Sequence, residues 1–188
     1  MNRTLAAAGL AALMSTAAGA ETVGVSMALF DDNFLTVLRN GMEATAAEMD
    51  GVDLQVEDAQ NDVARQLDQI NNFIAGGVDA IIVNPVDTSA TQAMSDAAAG
   101  AGVPLVYVNR EPINVDALPD TQAFVASNEV DSGTLETMEV CRLLAESGAT
   151  EADVYVLMGE LSNQAAVQRT ADIHDVMASG ECGVTLNV

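Results

Sequence analysis

The chain has 188 residues, 49% of them hydrophobic, and its 28 acidic residues outnumber six basic ones, for a formal net charge of −22. A surface of that sign repels phosphate backbones and anionic lipid headgroups, which excludes nucleic-acid binding as an expected function. We interpret the excess of acidic residues as a solubility- or salt-adapted surface rather than as an acidic docking face.

The first 20 residues have the three zones of a secretory signal peptide. A basic start at Arg3 is followed by the apolar run 5–18 and by the small residues 18–20. We therefore predict that residues 1–20 are a signal peptide and that the mature protein lies in a periplasm or outside the cell. The apolar run is too short to span a bilayer, and no second run of about 20 apolar residues follows, so no membrane-spanning helix is expected.

Apolar periodicity in the rest of the chain predicts strands that alternate with helices. The predicted helix 63–75, for example, places Leu67, Ile70 and Ile74 on one face. The predicted elements, in chain order, are strand 22–28, helix 33–49, strand 53–57, helix 63–75, strand 79–83, helix 88–101, strands 104–108 and 122–126, helix 132–145, strand 152–158, helix 164–177 and strand 183–188.

This alternation predicts an α/β fold with a Rossmann-like, mostly parallel sheet that is covered by helices on both faces. Because the pattern restarts after the fifth strand, we place an amino-terminal lobe at residues 21–128 and part of a second, similar lobe at residues 129–188. The second segment has about half the length of a typical domain. Two interpretations stay open: one extended domain, or a two-lobed protein that is truncated at its carboxyl terminus.

Polar residues follow each of the first five predicted strands, and this pattern indicates a ligand site. Open α/β sheets bind ligands at the carboxyl ends of their strands, and amide, carboxylate and guanidinium groups can satisfy the hydroxyls of a sugar. Phe30 and Phe34 can contact the C–H face of a sugar ring. Asp62, Asp87 and Thr88 have the alternative role of helix caps. The polar strand ends include Asp31, Asp32, Asp58, Gln60, Asn61, Asn84, Asn109, Arg110, Ser127, Asn128 and Glu129.

Motifs of catalysis and of cofactor binding are absent from the sequence. It has no G-x-G-x-x-G after the first strand, no lysine for a Walker-type phosphate loop and no G-x-S-x-G elbow. The single histidine, His174, lies between acidic residues and has no metal-ligand partner at a suitable spacing. We therefore predict a binding protein and not an enzyme, with no catalytic residue, no metal site and no cofactor.

The two cysteines, Cys141 and Cys182, are predicted to lie in an exported protein. Export to an oxidising compartment permits a disulfide between them, which we favour. The alternative is a pair of buried thiols.

Several segments together resemble the ribose-binding type of periplasmic sugar-binding proteins, which serve ABC importers. The resemblance implies the type I periplasmic binding fold: two Rossmann-like lobes that close about a hinge on a sugar and dock, as a monomer, on a membrane permease. Segments 109–112 and 159–164 look most like the inositol- or rhizopine-binding branch. The segments that carry the resemblance are 32–35 ahead of Gly41, 58–62, 77–87, 108–110 and 165–169.

The resemblance also implies a set of ligand-binding residues. They are, in chain order, Asp32, Phe34, Asn84, Asn109, Arg110 and Arg169. The first three would form a wall of the amino-terminal lobe, the next two would hydrogen-bond ring hydroxyls, and the last would reach in from the second lobe. An ion pair with Glu111 or another acidic neighbour is the alternative for Arg110. The chain departs from the family pattern at Leu35, Asn109 and the pair 172–173, which bears on the sugar that fits.

The predicted function is capture of a sugar or cyclic polyol in the periplasm and its delivery to an ABC permease. A periplasmic receptor for a chemoreceptor or a sensor kinase is an alternative, because both functions use closure as the output. A secreted Rossmann-like enzyme is a third hypothesis that no motif supports. A cytoplasmic sugar-responsive repressor is disfavoured by the signal peptide and by the lack of a basic DNA-reading helix.

Overall fold

The larger part of the chain is built on a parallel sheet of five strands. The computed structural model describes residues 19–188, so the predicted signal peptide lies outside the described residues apart from Gly19 and Ala20. The strands are β1 (Glu21–Met27), β2 (Val52–Asp58), β3 (Ala80–Val83), β4 (Leu105–Val108) and β5 (Gln122–Val125). Their order across the sheet is β2-β1-β3-β4-β5.

Three helices connect the strands of this sheet: α1 (Asn33–Glu48), α2 (Val63–Gly76) and α3 (Thr91–Ala101). Asp62 caps α2, because its Oδ1 accepts a hydrogen bond from the backbone N–H of Arg65 at 2.9 Å. Gly77 ends α2 with a φ of 76°, a left-handed conformation that glycine adopts without steric cost. The predicted helix 88–101 begins with a separate 3-10 turn over Thr88–Ala90, capped by Asp87.

Apolar residues pack on both faces of this sheet. Ile81 and Val83 belong to the buried cluster that includes side chains from α2 and α3. Ile82 packs on the other buried cluster, which includes Leu35 of α1. This alternation is expected, because successive side chains of a strand point to opposite faces. The predicted α/β class and the parallel sheet are confirmed.

The chain after β5 forms a second and smaller sheet with its own helices. Its elements are α4 (Glu129–Glu146), β6 (Glu151–Asp153), α5 (Gln164–Ser179) and β7 (Thr185–Asn187). The two strands pair in parallel, and their sheet shares no strand with the larger one among residues 19–188. A disulfide joins Cys141 on α4 to Cys182 ahead of β7, within the small core of this region. We call residues 21–125 the first unit and residues 129–187 the second unit.

Two elements of the second unit differ most from the sequence prediction. Helix α4 begins at Glu129 and not at residue 132, because the Asn128 side chain accepts hydrogen bonds from the N–H groups of Val130 and Asp131 and caps the helix earlier. The predicted strand 152–158 is short, since its ladder with β7 ends where the N–H of Val154 donates to Asn187. A strand is maintained by hydrogen bonds to a neighbour, and residues 155–158 have no strand beside them in the described part of the chain.

Among the helices between residues 19 and 188, none combines the length and the hydrophobicity needed to cross a lipid bilayer.

Candidate functional site

A cleft of about 930 Å3 lies between the first unit and the second unit. Its first-unit side is formed by the carboxyl ends of the parallel strands, where open α/β sheets bind ligands. The volume falls within the range of about 300–1,000 Å3 that is usual for small-molecule sites. Polar side chains line it from both units: Asp32, Asn61, Asn109, Arg110, Ser127, Glu129, Glu136, Glu160, Asn163 and Arg169.

The structure brings five of the six predicted ligand-binding residues to this cleft: Asp32, Phe34, Asn109, Arg110 and Arg169. They come from the start of α1, the end of β4 and helix α5. The remaining residue, Asn84, follows β3 and is not part of the lining. Contact of these residues with a ligand stays a prediction.

Asn84 is fully buried beneath the cleft and supports it from below. Its Nδ2 donates to the backbone oxygen of Val108 at 3.2 Å and to Oδ1 of Asn109 at 3.1 Å. Its own Oδ1 accepts from the N–H of Ala28 at 3.4 Å. The side chain is therefore engaged with three neighbouring groups at the strand ends, which leaves it in a supporting position rather than in the predicted wall.

Asn109 occupies the left-handed region of the backbone, with a φ of 67°. This conformation is uncommon for residues other than glycine, and asparagine tolerates it better than most. Strained backbone of this kind concentrates at functional sites, where the surrounding structure holds it in place. Here the N–H of Asn109 donates to the carbonyl of Val125 at 3.1 Å, and the side chain accepts from Asn84.

Arg110 lies deep in the cleft, with only 13% of its side chain exposed. Its Nη1 donates to the carbonyls of Pro85 and Val86 at 3.0 and 3.1 Å. Burial lowers the pKa of Arg110, while the negative charges of Glu160 and Asp32 oppose that shift. Both of these carboxylates line the cleft, so the cation faces acidic groups from each unit.

Asp32 and Phe34 lie at the amino-terminal end of α1. Asp32 caps the helix, because its Oδ1 accepts from the N–H of Leu35 at 2.8 Å, and this leaves Oδ2 for other partners. The ring of Phe34 lines the cleft and is 60% exposed. An aromatic face beside a free carboxylate oxygen suits a molecule with a C–H face and hydroxyl groups.

Arg169 projects from α5 and is paired with two carboxylates of α4. Its Nε donates to Oε2 of Glu129 at 2.6 Å, and its Nη1 donates to Oε1 of Glu136 at 3.1 Å. The hydrogen bond to Glu129 is the main cause that raises the pKa of Arg169. Glu129 also accepts from the hydroxyl of Ser127 at 2.9 Å, so the pair is attached to the segment that links the two units.

Direct contacts join the units at one side of the cleft. The N–H and the hydroxyl of Thr88 donate to the carbonyl of Ser162 at 3.0 and 3.2 Å. Nearby, Nη2 of Arg110 lies 4.0 Å from Oε2 of Glu160. Arg110 therefore has an acidic partner, as the alternative interpretation predicted. That partner is Glu160 and not the neighbouring Glu111.

The sequence reasoning did not include three of the acidic cleft residues among its site residues. The sequence did indicate a place at the site for Glu129, because it is among the polar residues that follow the fifth strand. Glu136 is seven residues further along α4 and therefore lies on the same face of the helix. Glu160 lies in an irregular segment, so nothing in its local sequence indicated a position next to Arg110.

Carboxylates, guanidinium groups and amides together give this cleft a dense set of hydrogen-bond acceptors and donors. Such a set fits a neutral molecule with several hydroxyls, since each hydroxyl both donates and accepts. Within residues 19–188, no group of three or more acidic, histidine or cysteine side chains has an arrangement that could hold a metal ion.

Comparisons with known proteins show what this chain is similar to. Residues 23–187 match the family described as periplasmic binding protein domain. A Rhizobium meliloti protein whose name assigns it to rhizopine binding is 67% identical over 172 residues, which are 92% of this chain and 54% of that protein. The ribose import binding protein of Bacillus subtilis is 30% identical over 157 residues, which are 82% of this chain and 48% of that protein. The chain spans about half the length of these curated relatives.

Two solved structures with bound myo-inositol share this fold. An ABC transporter solute-binding protein from Bacillus halodurans is 35% identical, with a TM-score of 0.77, and the match covers 86% of this chain and 53% of that one. The Caulobacter myo-inositol binding protein is 25% identical, with a TM-score of 0.76, and the match covers 90% of this chain and 54% of that one. The predicted type I periplasmic binding fold is therefore confirmed.

Proposed function

Because the chain belongs to the periplasmic binding protein domain family, we propose that its cleft binds a sugar or a cyclic polyol. The family and the relatives above are binding proteins. The observation that carries the proposal is the cleft itself, where Asp32, Asn109, Arg110 and Arg169 converge beside the exposed ring of Phe34. Two of the solved relatives hold myo-inositol, which supports a polyol as the ligand.

The wider proposal concerns transport. We infer that the protein is exported by the signal peptide at residues 1–20, acts in the periplasm as a monomer, and hands its ligand to an ABC permease. Residues 21–128 and 129–188 then act as two lobes, with the link near Asn128 as a hinge. The contacts of Thr88 and Arg110 with the segment 160–162 support this proposal, because closure of two lobes needs groups that meet across the cleft.

Calorimetric titration of the full chain with ribose, xylitol, D-glucose and myo-inositol tests the proposed function. We expect saturable binding of at least one of these molecules. Absence of binding across the panel at millimolar concentrations would contradict the proposal.

The role of Arg110 is tested with the substitution Arg110→Ala. Loss of charge-assisted hydrogen bonds is expected to weaken binding by about 1.5–3 kcal/mol. Arg65→Ala is the matched control, because it removes the same charge from an exposed position on α2 that does not line the cleft. Equal affinities of the two variants would contradict the role of Arg110, provided that both unfold at similar urea concentrations.

Delivery to a permease is tested by capture experiments with membranes, with and without the ligand. Ligand-dependent capture of a permease is the expected result. Capture of a chemoreceptor or a sensor kinase would instead favour the receptor function.

A further inference from the structure

A network of buried polar side chains lies beneath the cleft in the first unit. Its members are Ser26, Gln66, Gln69 and Asn84, and each has less than a tenth of its surface exposed. Burial of amide and hydroxyl groups costs free energy unless they are hydrogen-bonded. Two glutamines lie on the buried face of α2, where apolar residues would be expected. Their presence there therefore needs a structural explanation.

Gln66 holds both ends of the turn that follows β3. Its Oε1 accepts from the N–H of Val86 at 2.8 Å, and its Nε2 donates to the carbonyl of Asn84 at 2.9 Å. The same Nε2 group also donates to the hydroxyl of Ser26 at 3.1 Å. Both N–H donors of the amide are thus engaged, and the turn 84–86 is attached to α2 from below.

The turn 84–86 in turn positions two cleft residues on the neighbouring strand. The carbonyls of Pro85 and Val86 accept from Nη1 of Arg110, and Nδ2 of Asn84 donates to Oδ1 of Asn109. This contact fixes the orientation of the Asn109 amide, and its nitrogen stays available to a ligand as a donor. The contacts run from one buried glutamine to both residues.

We propose that Gln66 is a positioning residue of the cleft, which sets the places of Asn109 and Arg110 through the turn 84–86. Gln66 does not line the cleft. The inference rests on the proposed function, since it concerns the affinity of the same cleft. Binding groups must be held to within about 0.5 Å of the productive geometry, so release of the turn is expected to weaken binding of a polyol about tenfold.

Two substitutions in the network separate positioning from general stability. Gln66→Met removes the bonds to the turn and keeps a side chain of similar length, whereas Ser26→Ala leaves the bonds of Gln66 to Asn84 and Val86 in place. We expect both variants to unfold at lower urea concentration than the unmodified chain. Only Gln66→Met is expected to lose affinity in calorimetric titration with the tightest-binding polyol of the panel. Unchanged affinity of Gln66→Met, or an equal loss in both variants, would overturn the inference.

Amide hydrogen exchange of the unmodified chain, followed by NMR, provides a test that needs no variant to fold and no ligand to bind. The N–H of Val86 should exchange slowly, because its acceptor is a buried amide oxygen. Fast exchange of this group would overturn the inference. Failure of the unmodified chain to bind any polyol would instead contradict the proposed function, while binding with an unaffected Gln66→Met variant would contradict this inference alone.

Discussion

The first and second units differ in how they bury apolar surface. In the first unit, five paired strands separate two buried clusters, and helices cover both faces. In the second unit, two short strands and two helices enclose one small cluster, and the side chains of Tyr155 and Leu157 are 96% and 97% exposed. A sheet of two strands has little stability by itself, and small units are often held by disulfides. The difference indicates that a covalent bond supports the second unit, in which the apolar cluster is small.

The largest expected effect is loss of the disulfide between Cys141 and Cys182, which lie 41 residues apart in the sequence. The double substitution Cys141→Ser and Cys182→Ser should destabilise the second unit by about 2–4 kcal/mol, because the unfolded chain gains the freedom that the bond removes. Hydrogen exchange measured segment by segment is expected to quicken over residues 129–187 and to change little over residues 21–125.

This experiment also tests the division into two lobes. Equal quickening of exchange in both units would contradict the division, since it would indicate one cooperative unit. Thiol alkylation of the unmodified chain without reductant is the accompanying check. Modification of both cysteines would contradict the disulfide.

A smaller effect is expected from alanine at two helical glycines, one in each unit. A Cβ at Gly133 on α4 would lie 2.8 Å from Cα of Arg169 and would also meet the side chain of Asp172. Such overpacking typically costs about 1–3 kcal/mol. A Cβ at Gly41 on α1 would meet nothing within 4 Å, so Gly41→Ala should stabilise the protein by about 0.5–1 kcal/mol.

Urea unfolding of the two glycine variants checks this contrast. The absence of a Cβ at Gly133 leaves room for Asp172, which is buried on α5. A stabilising Gly133→Ala would show that α4 and α5 can separate freely, and the assigned close contact between them would be wrong.

The smallest expected effect is a pH dependence at the junction of the two units. Partial burial raises the pKa of Glu111, and the negative charges of Asp116 and Glu129 raise it further. Because the pKa of Glu111 is raised in the folded state, its contribution to the stability is fully present below the unfolded pKa of about 4.3. That contribution is lost as the pH rises through the folded pKa. Glu111→Gln should therefore be slightly more stable than the unmodified chain near neutral pH and should lose that advantage in acid.

Thermal unfolding at several pH values measures this effect. Asp120→Asn is the matched control, because it removes one negative charge from an exposed position of the same unit. An equal gain from both variants would assign the effect to the net charge of the chain and not to the surroundings of Glu111.

Most of the fold could be predicted from the sequence. The parallel sheet could be predicted from the apolar runs at residues 80–83 and 105–108, because strands that are buried on both faces are apolar along their whole length. The capping role of Asp62 could be foreseen too, since a cap acts within three residues of its own position. The strand predicted at 152–158 was too long because a strand also depends on a neighbour, which periodicity does not reveal.

The candidate site was predictable only in part. The sequence by itself determined that polar residues end the strands, since strand periodicity and strand ends are local properties of the chain. The tertiary structure alone decided that Asn84 lies below the cleft, that Arg169 pairs with Glu129, and that Gln66 reaches the turn after β3. The hydrogen bonds of Asn84, Arg169 and Gln66 join separate elements, 18 to 56 residues apart, and depend on how the strands are ordered and how the helices pack on them. Side-chain partners across that distance are set by packing, which local sequence patterns do not encode.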